Sequence, residues 1–252
     1  AMDGALAVHF GWMGRPTRAV AFLLAYVGLA GLVVLSWAIA PVLSFIVFLA
    51  ISTFHFGRGD ATSSVVGRGA VESIARGGVV IGGISQFHRA EANDVFLTIV
   101  GADTTGVWLF LDVLVVFAVA CIVETLLFKQ QHERTAFGLE LGALSLLFMA
   151  VPPLVGFAVY FCFVHSFRHF SSMRSVLQST VSSLRITQTT VVFSLLTWAF
   201  GLVVLAQQSA SIGVEPALLK VVFIGLAALT VPHMLLVDGV LERTTARTIL
   251  DN

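Results

Sequence analysis

The segment VYFCFVHSFRHFSSM at 159–173 ends a long apolar run with two histidines, His165 and His169, and with Arg168 between them. Residues four positions apart project from one face of an α-helix, so both imidazoles can contact one ion or one ligand. Neutral imidazole suits iron, zinc and copper, and burial of an unpartnered ring nitrogen costs free energy. The spacing favours a metal site, with interfacial hydrogen-bonding histidines as the simpler alternative. Arg168 is predicted to reach lipid headgroups or to stabilise the helix C-terminus.

The composition places this motif in a membrane protein. Apolar residues make up 58% of the 252 residues and charged residues only 11%, which lies outside the range of soluble domains. The formal net charge is zero, so nothing points to nucleic acid as a partner. We predict an all-α, polytopic integral membrane helical bundle that forms one transmembrane domain over residues 1–252. Its first helix is expected to be truncated.

Apolar length marks the predicted spans, because crossing about 30 Å of hydrocarbon takes about 20 helical residues. Four segments are long and unbroken: 19–40, 107–128, 189–206 and 217–237. Five are shorter or interrupted: the opening stretch to residue 13, 42–56, 71–84, 137–151 and 154–170. Since the shortest of these can be re-entrant, we predict eight to nine spans.

Lysine and arginine fall mainly in alternate connections between these segments. The basic residues after the odd-numbered spans and in the tail are Arg15, Arg18, Arg58, Arg68, Lys129, Arg134, Arg174, Arg185, Arg243 and Arg247. Cytoplasmic loops carry the excess of positive charge. The pattern therefore predicts a multi-pass protein of the cell (plasma) membrane with a cytoplasmic C-terminus.

Four of the seven histidines then lie on one side of the membrane. His55 is at the cytoplasmic end of the third span, His165 and His169 at that end of the seventh, and His233 in the later part of the ninth. Polar side chains inside membranes are costly and are usually functional. His55 and His233 can complete a cluster with the pair if their helices are neighbours.

Four motifs distinguish the chain from a generic membrane protein: STFHFGRGD at 52–60, GGVVIGGISQFHRAEANDVF at 77–96, VYFCFVHSFRHF at 159–170 and LTVPHMLLVDG at 229–239. In these motifs, their order and their spacing, the chain resembles the Brp/Blh family of bacterial and archaeal β-carotene dioxygenases. The resemblance implies a membrane enzyme that uses Fe²⁺ and O₂ to cut β-carotene at its central double bond, giving two all-trans-retinal molecules. It also implies a retinal-binding rhodopsin as product acceptor. The family's catalytic iron ligands match His55, His165 and His169.

The chain departs from the family at three positions. A PHGALD-like motif that carries the remaining iron ligand aligns with MDGALA at 2–7, so Asp3 replaces the histidine and Ala7 an acidic residue. Arg76 stands where a further histidine is expected. Because two histidines and one carboxylate form an oxygen-activating iron set, Asp3 is predicted as the fourth metal ligand and preferred over His9. His233 and Arg76 are predicted to lie next to the ligands.

The departures leave an alternative open. A buried charge in lipid requires an opposite partner, so Arg76 is expected to pair with Asp3 or with Glu72. An Asp3–Arg76 ion pair would weaken or remove the iron site. The chain would then be a catalytically impaired relative that binds or shuttles a carotenoid or retinal.

Aromatic side chains supply the predicted path for the substrate. The chain has 21 phenylalanines, of which Phe54, Phe161 and Phe167 are predicted to line a tunnel for the polyene, with lipid-facing rings as the alternative. Seven histidines are too few for a membrane di-iron desaturase, and no internal repeat indicates a transporter. A haem protein with two axial histidines stays open at this point.

Overall fold

The computed structural model describes residues 3–9, 11–61, 68–101, 103–177 and 181–250, with the backbone alone described at 13, 60, 172, 173, 175, 176 and 238–250. Within these ranges the regular structure is entirely helical. The all-α prediction is therefore confirmed for the described part of the chain. Its α-helices are, in chain order, α1 (Asp3–His9), α2 (Pro16–Ile39), α3 (Pro41–Asp60), α4 (Arg68–Gln86), α5 (Arg89–Val100), α6 (Thr105–Phe128), α7 (Gln131–Ala150), α8 (Pro153–Val159), α9 (Ser166–Leu177), α10 (Ser183–Ile212) and α11 (Val214–Leu250).

Two shorter helical segments join these elements. A 3₁₀ turn spans Trp12–Gly14, and a π-helical segment spans Tyr160–His165 between α8 and α9. Proline stands at the start of α2, α3 and α8, where its missing N–H removes no helical hydrogen bond. The α5 helix ends at Gly101, whose positive φ lets its N–H donate to the carbonyl of Leu97.

Five segments among the described residues are long and apolar enough to cross a membrane: Pro16–Ile39, Pro41–Gly59, Thr105–Phe128, Ser183–Ile212 and Val214–Val237. They contain five of the predicted spans. The chain is thus a membrane protein with several candidate spans, as its composition predicts.

The predicted count of eight to nine spans is not confirmed. Of the opening stretch, the structure describes a helix of seven residues, α1. The α4 and α7 helices carry charged residues along their lengths, and the predicted span 154–170 is divided among α8, the π segment and α9. The α4 and α7 helices are long enough to span a membrane but are not apolar enough to count as candidate spans. Among the described residues, the other two segments contain no single α-helix that is long enough.

The chain divides into two compact units, residues 1–39 with 170–252, and residues 40–169. In the first, α2 and α10 pack against α11, and α1 contacts α10 and α11. Its core includes Ala5, Leu6, Ile186 and Leu236. The prediction of a single domain stays a prediction.

In the second unit α4 is the central element, because it packs against α3, α5, α6, α7 and α8. Glycine permits the closest of these contacts: a Cβ on Gly57 would overlap the carbonyl of Ser73, and one on Gly77 would overlap the carbonyl of Thr53. The backbones of α3 and α4 therefore touch at two places. His55 lies between Thr53 and Gly57, so this crossing fixes its position.

Candidate functional site

Three predicted histidines meet within the second unit. His55 lies near the C-terminal end of α3, His165 ends the π segment, and His169 lies in the first turn of α9. The ring centroids of His55 and His165 are 5.1 Å apart, those of His55 and His169 are 6.2 Å apart, and those of His165 and His169 are 6.0 Å apart. Residues more than 100 positions apart in sequence thus form one imidazole cluster, as the motifs predict.

A π-helical turn positions the second histidine of this cluster. The six residues Tyr160–His165 form a wider turn than an α-helix, and such turns recur at functional sites. The α-helix resumes at Ser166, and the rings of His165 and His169 are nearly parallel, with 9° between their planes. Periodicity gives no signal for this turn, and the sequence did not predict a π-helical segment.

Three imidazoles are a donor type that suits iron, but the spacing of the rings is wider than bound ligands require. Metal–nitrogen bonds of about 2.0–2.1 Å place the ring centroids of neighbouring ligands about 4.5–5.3 Å apart. His55 and His165 meet this spacing, while His169 lies about 1 Å beyond it from each. Accordingly, within the described ranges no set of three His, Cys, Asp or Glu side chains stands ready-made for a metal ion.

Aromatic rings form one wall of the cluster. Phe56 packs edge-on against His165 with 4.7 Å between centroids, and Phe161 stacks on the same imidazole at 5.9 Å. Tyr160 lies 6.3 Å away, and Phe56, Tyr160 and His165 are all buried. This apolar wall keeps water from the His165 side of the cluster. Phe56 and Tyr160 were not among the residues predicted for the tunnel.

The predicted tunnel residues have different positions. Phe161 contacts the cluster, whereas Phe54 is 37% exposed and Phe167 is 69% exposed. Phe167 is two residues from both His165 and His169, a rotation of about 200° around the helix axis. It therefore projects away from the imidazoles, and its role in lining a substrate tunnel stays a prediction. The role of Phe54 stays a prediction.

A buried ion-pair network surrounds Arg76. Its Nε donates to Glu72 Oε1 at 3.0 Å, its Nη1 donates to Glu140 Oε2 at 2.6 Å, and Lys129 Nζ lies 3.1 Å from Glu72 Oε2. The guanidinium also lies over the Phe137 ring, with 5.0 Å to its centroid. The predicted Arg76–Glu72 pair is confirmed. Glu72 and Glu140 belong to the same unit as Arg76 and balance the charge of its guanidinium. Arg76 therefore does not need Asp3 as a counter-ion.

The network continues to the histidine motif through Glu140. Arg168 Nη1 donates to Glu140 Oε1 at 2.6 Å, an ion pair that the sequence did not predict; headgroups or the helix C-terminus were expected instead. The other oxygen of the same carboxylate, Oε2, accepts from Arg76. Glu140 is therefore a carboxylate that accepts from both arginines.

Glu72→Gln is expected to lower the free energy of unfolding by about 3 kcal/mol, because it leaves two buried cations with less negative charge. Glu72 is 1% exposed and contacts both Arg76 and Lys129. Denaturant titration of the protein in mixed micelles measures the change. The matched control is Glu124→Gln, since Glu124 is exposed; equal stability of the two variants would contradict the importance of the network.

Asp3 lies in the first unit, where two side chains bind its carboxylate. The Tyr26 hydroxyl donates to Oδ2 at 2.6 Å, and His233 Nδ1 lies 2.6 Å from Oδ1. Asp3 is 5% exposed. His233 thus contacts Asp3, but its role beside a metal ligand stays a prediction; Tyr26 is a partner that the sequence did not indicate. Because Asp3 and the three histidines belong to different units, its role as the fourth ligand stays a prediction.

Tyr26→Phe is expected to destabilise the protein by about 1–2 kcal/mol, because a hydrogen bond to a buried carboxylate is lost. Combination with Asp3→Asn in a double-mutant cycle isolates this interaction. The two changes should be less costly together than the sum of their separate effects on the free energy of unfolding. Additive effects would show that the contact contributes nothing measurable.

Comparison with known proteins gives two matches. A family model described as Beta-carotene 15,15'-dioxygenase matches residues 1–240. A protein named Beta-carotene 15,15'-dioxygenase from the uncultured marine bacterium 66A03 is 34% identical over 243 residues, which cover 94% of this chain and 86% of that relative. No solved structure matches the chain.

Proposed function

Since the chain belongs to the β-carotene 15,15'-dioxygenase family, we propose that it cleaves β-carotene at the central double bond with O₂, giving two molecules of all-trans-retinal. The convergence of His55, His165 and His169 carries this proposal. Both oxygen atoms of O₂ are accounted for, because each retinal receives one as its aldehyde oxygen. Carbon and hydrogen balance without a further reductant.

The three imidazoles would hold Fe²⁺, which supplies the activation of O₂ when it is bound. His165 is the most enclosed of the three, with Phe56 at its edge and Phe161 against its face. These rings orient the ligand imidazole and exclude water from its side of the site. Their apolar faces also suit a polyene, which has no polar atom to recognise. Shape and aromatic contact, rather than hydrogen bonding, select the bond that is cut.

The proposal includes a location in the plasma membrane with a cytoplasmic C-terminus, supported by the distribution of Lys and Arg along the chain. The charged α4 helix can count among eight to nine spans, because Glu72, Arg76 and Lys129 satisfy one another inside the unit. The substrate is insoluble in water, so it enters from the bilayer. A retinal-binding rhodopsin is the proposed acceptor of the product.

A second candidate function is the binding or transfer of a carotenoid or retinal without cleavage. Two observations favour it: Asp3 stands at the position of a family ligand, and the imidazoles are more widely spaced than in a ready-made ion site. The aromatic wall described above would serve such a protein equally well.

Expression in cells that accumulate β-carotene separates the two candidates. Cleavage predicts loss of the orange colour and the appearance of retinal in pigment extracts, against an empty-vector control. Colour that persists while the protein is abundant in the membrane, with carotenoid retained on purification, supports the binding function. In that case bleaching by Asp3→His would attribute the lost activity to the carboxylate.

A further inference from the structure

One carboxylate links the histidine motif to the centre of its unit. Glu140 on α7 uses a separate oxygen for each of two arginines: Oε1 accepts from Arg168 and Oε2 from Arg76, both at 2.6 Å. Charge-assisted hydrogen bonds of this length are among the strongest that side chains make. The carboxylate therefore fixes Arg168 relative to α4 and α7.

The inner end of this link is rigid. Arg76 is 7% exposed and is held a second time by Glu72, whose other oxygen lies 3.1 Å from Lys129. Four charged side chains thus share one network, in which Glu72 and Arg76 are buried and Glu140 and Lys129 are partly exposed. A movement of Glu140 would disturb the partners of Arg76 as well as those of Arg168.

The outer end of the link lies on the turn that carries two candidate ligands. Arg168 is three residues after His165 and directly precedes His169. On a helix, Arg168 lies about 60° around the axis from His165 and about 100° from His169. Any force on the guanidinium therefore acts on the backbone that sets the direction of both imidazoles. The turn begins in the π segment, where the hydrogen bonds run from residue i to i+5 instead of the α-helical i to i+4.

We propose that Glu140 is a positioning residue, which ties Arg168 to α7 and, through Arg76, to α4, and thereby sets the His165 and His169 imidazoles for metal binding. The effect of Glu140 on catalysis rests on the proposed function. Its effect on the conformation of residues 160–169 does not. Groups that orient a site must hold it to about 0.5 Å. The centroid distances within the cluster range from 5.1 to 6.2 Å, so the orientation of the turn decides whether the three imidazoles can contact one ion.

Hydrogen exchange of the metal-free protein, measured by mass spectrometry, tests the structural part. In Glu140→Gln and in Arg168→Gln we expect amides of residues 160–169 to exchange at least about threefold faster, with α5 unchanged. Arg168→Gln leaves the buried Arg76 pairs in place, so it reports on the link even if Glu140→Gln folds poorly. The matched control is Glu133→Gln, an exposed glutamate on the same helix. Unchanged exchange at 160–169 in Arg168→Gln would overturn the proposal.

Steady-state cleavage of β-carotene by the iron-loaded protein tests the catalytic part. Arg168→Gln should lower kcat about tenfold and leave KM within about twofold, and Arg168→Lys, which keeps a cationic donor, should recover most of the rate. If Arg168→Gln only lowers the amount of folded enzyme, and Arg168→Lys does not recover the rate, the loss comes from general unfolding. That outcome would contradict a positioning role. If Arg168→Gln exchanges faster at 160–169 but the iron-loaded wild-type protein does not cleave β-carotene, the proposed function alone is refuted. If the wild-type protein cleaves β-carotene and Arg168→Gln shows unchanged exchange and normal cleavage, the positioning role alone is refuted.

Discussion

His55→Ala, His165→Ala and His169→Ala are each expected to abolish retinal formation in cells that make β-carotene. Loss of one imidazole removes one of the three nitrogen donors of the cluster, so the site binds iron less tightly and holds it in a different geometry. Changes next to a ligand already cost tenfold to a hundredfold, so we expect at least about a hundredfold loss for a ligand itself. The measurement is the ratio of retinal to β-carotene in extracts, normalised to protein in the membrane fraction.

His132→Ala provides the matched control for these variants. His132 is an exposed residue at the start of α7, so its replacement removes an imidazole without touching the cluster. It should retain wild-type retinal formation. Undiminished activity of His165→Ala at equal protein level would exclude this imidazole as an iron ligand.

Gly57→Ala and Gly77→Ala are expected to remove most of the folded protein. Each added Cβ would overlap a backbone carbonyl of the facing helix, Ser73 in the first case and Thr53 in the second. Backbone cannot yield as a flexible side chain can, so α3 and α4 must separate. We expect the free energy of unfolding to fall by at least about 3 kcal/mol, measured by denaturant titration in mixed micelles.

Gly59→Ala tests whether the contact, rather than the helix, is responsible. Gly59 lies on the same helix two residues after Gly57, and a Cβ there would meet no atom within 4 Å. Alanine at this position should be neutral or slightly stabilising, because it favours the helix. If Gly57→Ala and Gly59→Ala lower the free energy of unfolding equally, the backbones of α3 and α4 are not in close contact at Gly57.

The sequence predicted the features that depend on local pattern. The longest apolar runs became helices, and the motifs around His55 and His165 identified residues that the fold brings together. Charged residues limited the prediction of spans, because apolar length was counted without the ion pairs that α4 and α7 require.

The features that the sequence did not predict depend on distant contacts. Arg76 and Glu140 are 64 positions apart, and Asp3 and His233 are 230 apart, so no periodicity connects them. The π turn before His165 shifts the helical register without any change in composition. Nearness in sequence also says little about direction: a rotation of about 200° separates Phe167 from both histidines, although it lies two residues from each.

Iron dependence of the purified protein tests the central claim most directly. The protein is stripped of metal with a chelator, titrated with Fe²⁺ under air with β-carotene present, and the pigments are separated by chromatography. We predict no retinal from the stripped protein, and recovery that saturates at one iron per chain with two retinals for each β-carotene consumed. Full retinal formation by the metal-free protein, or β-carotene left intact by a folded protein that holds one iron, would contradict a histidine-bound iron as the centre that cleaves the substrate.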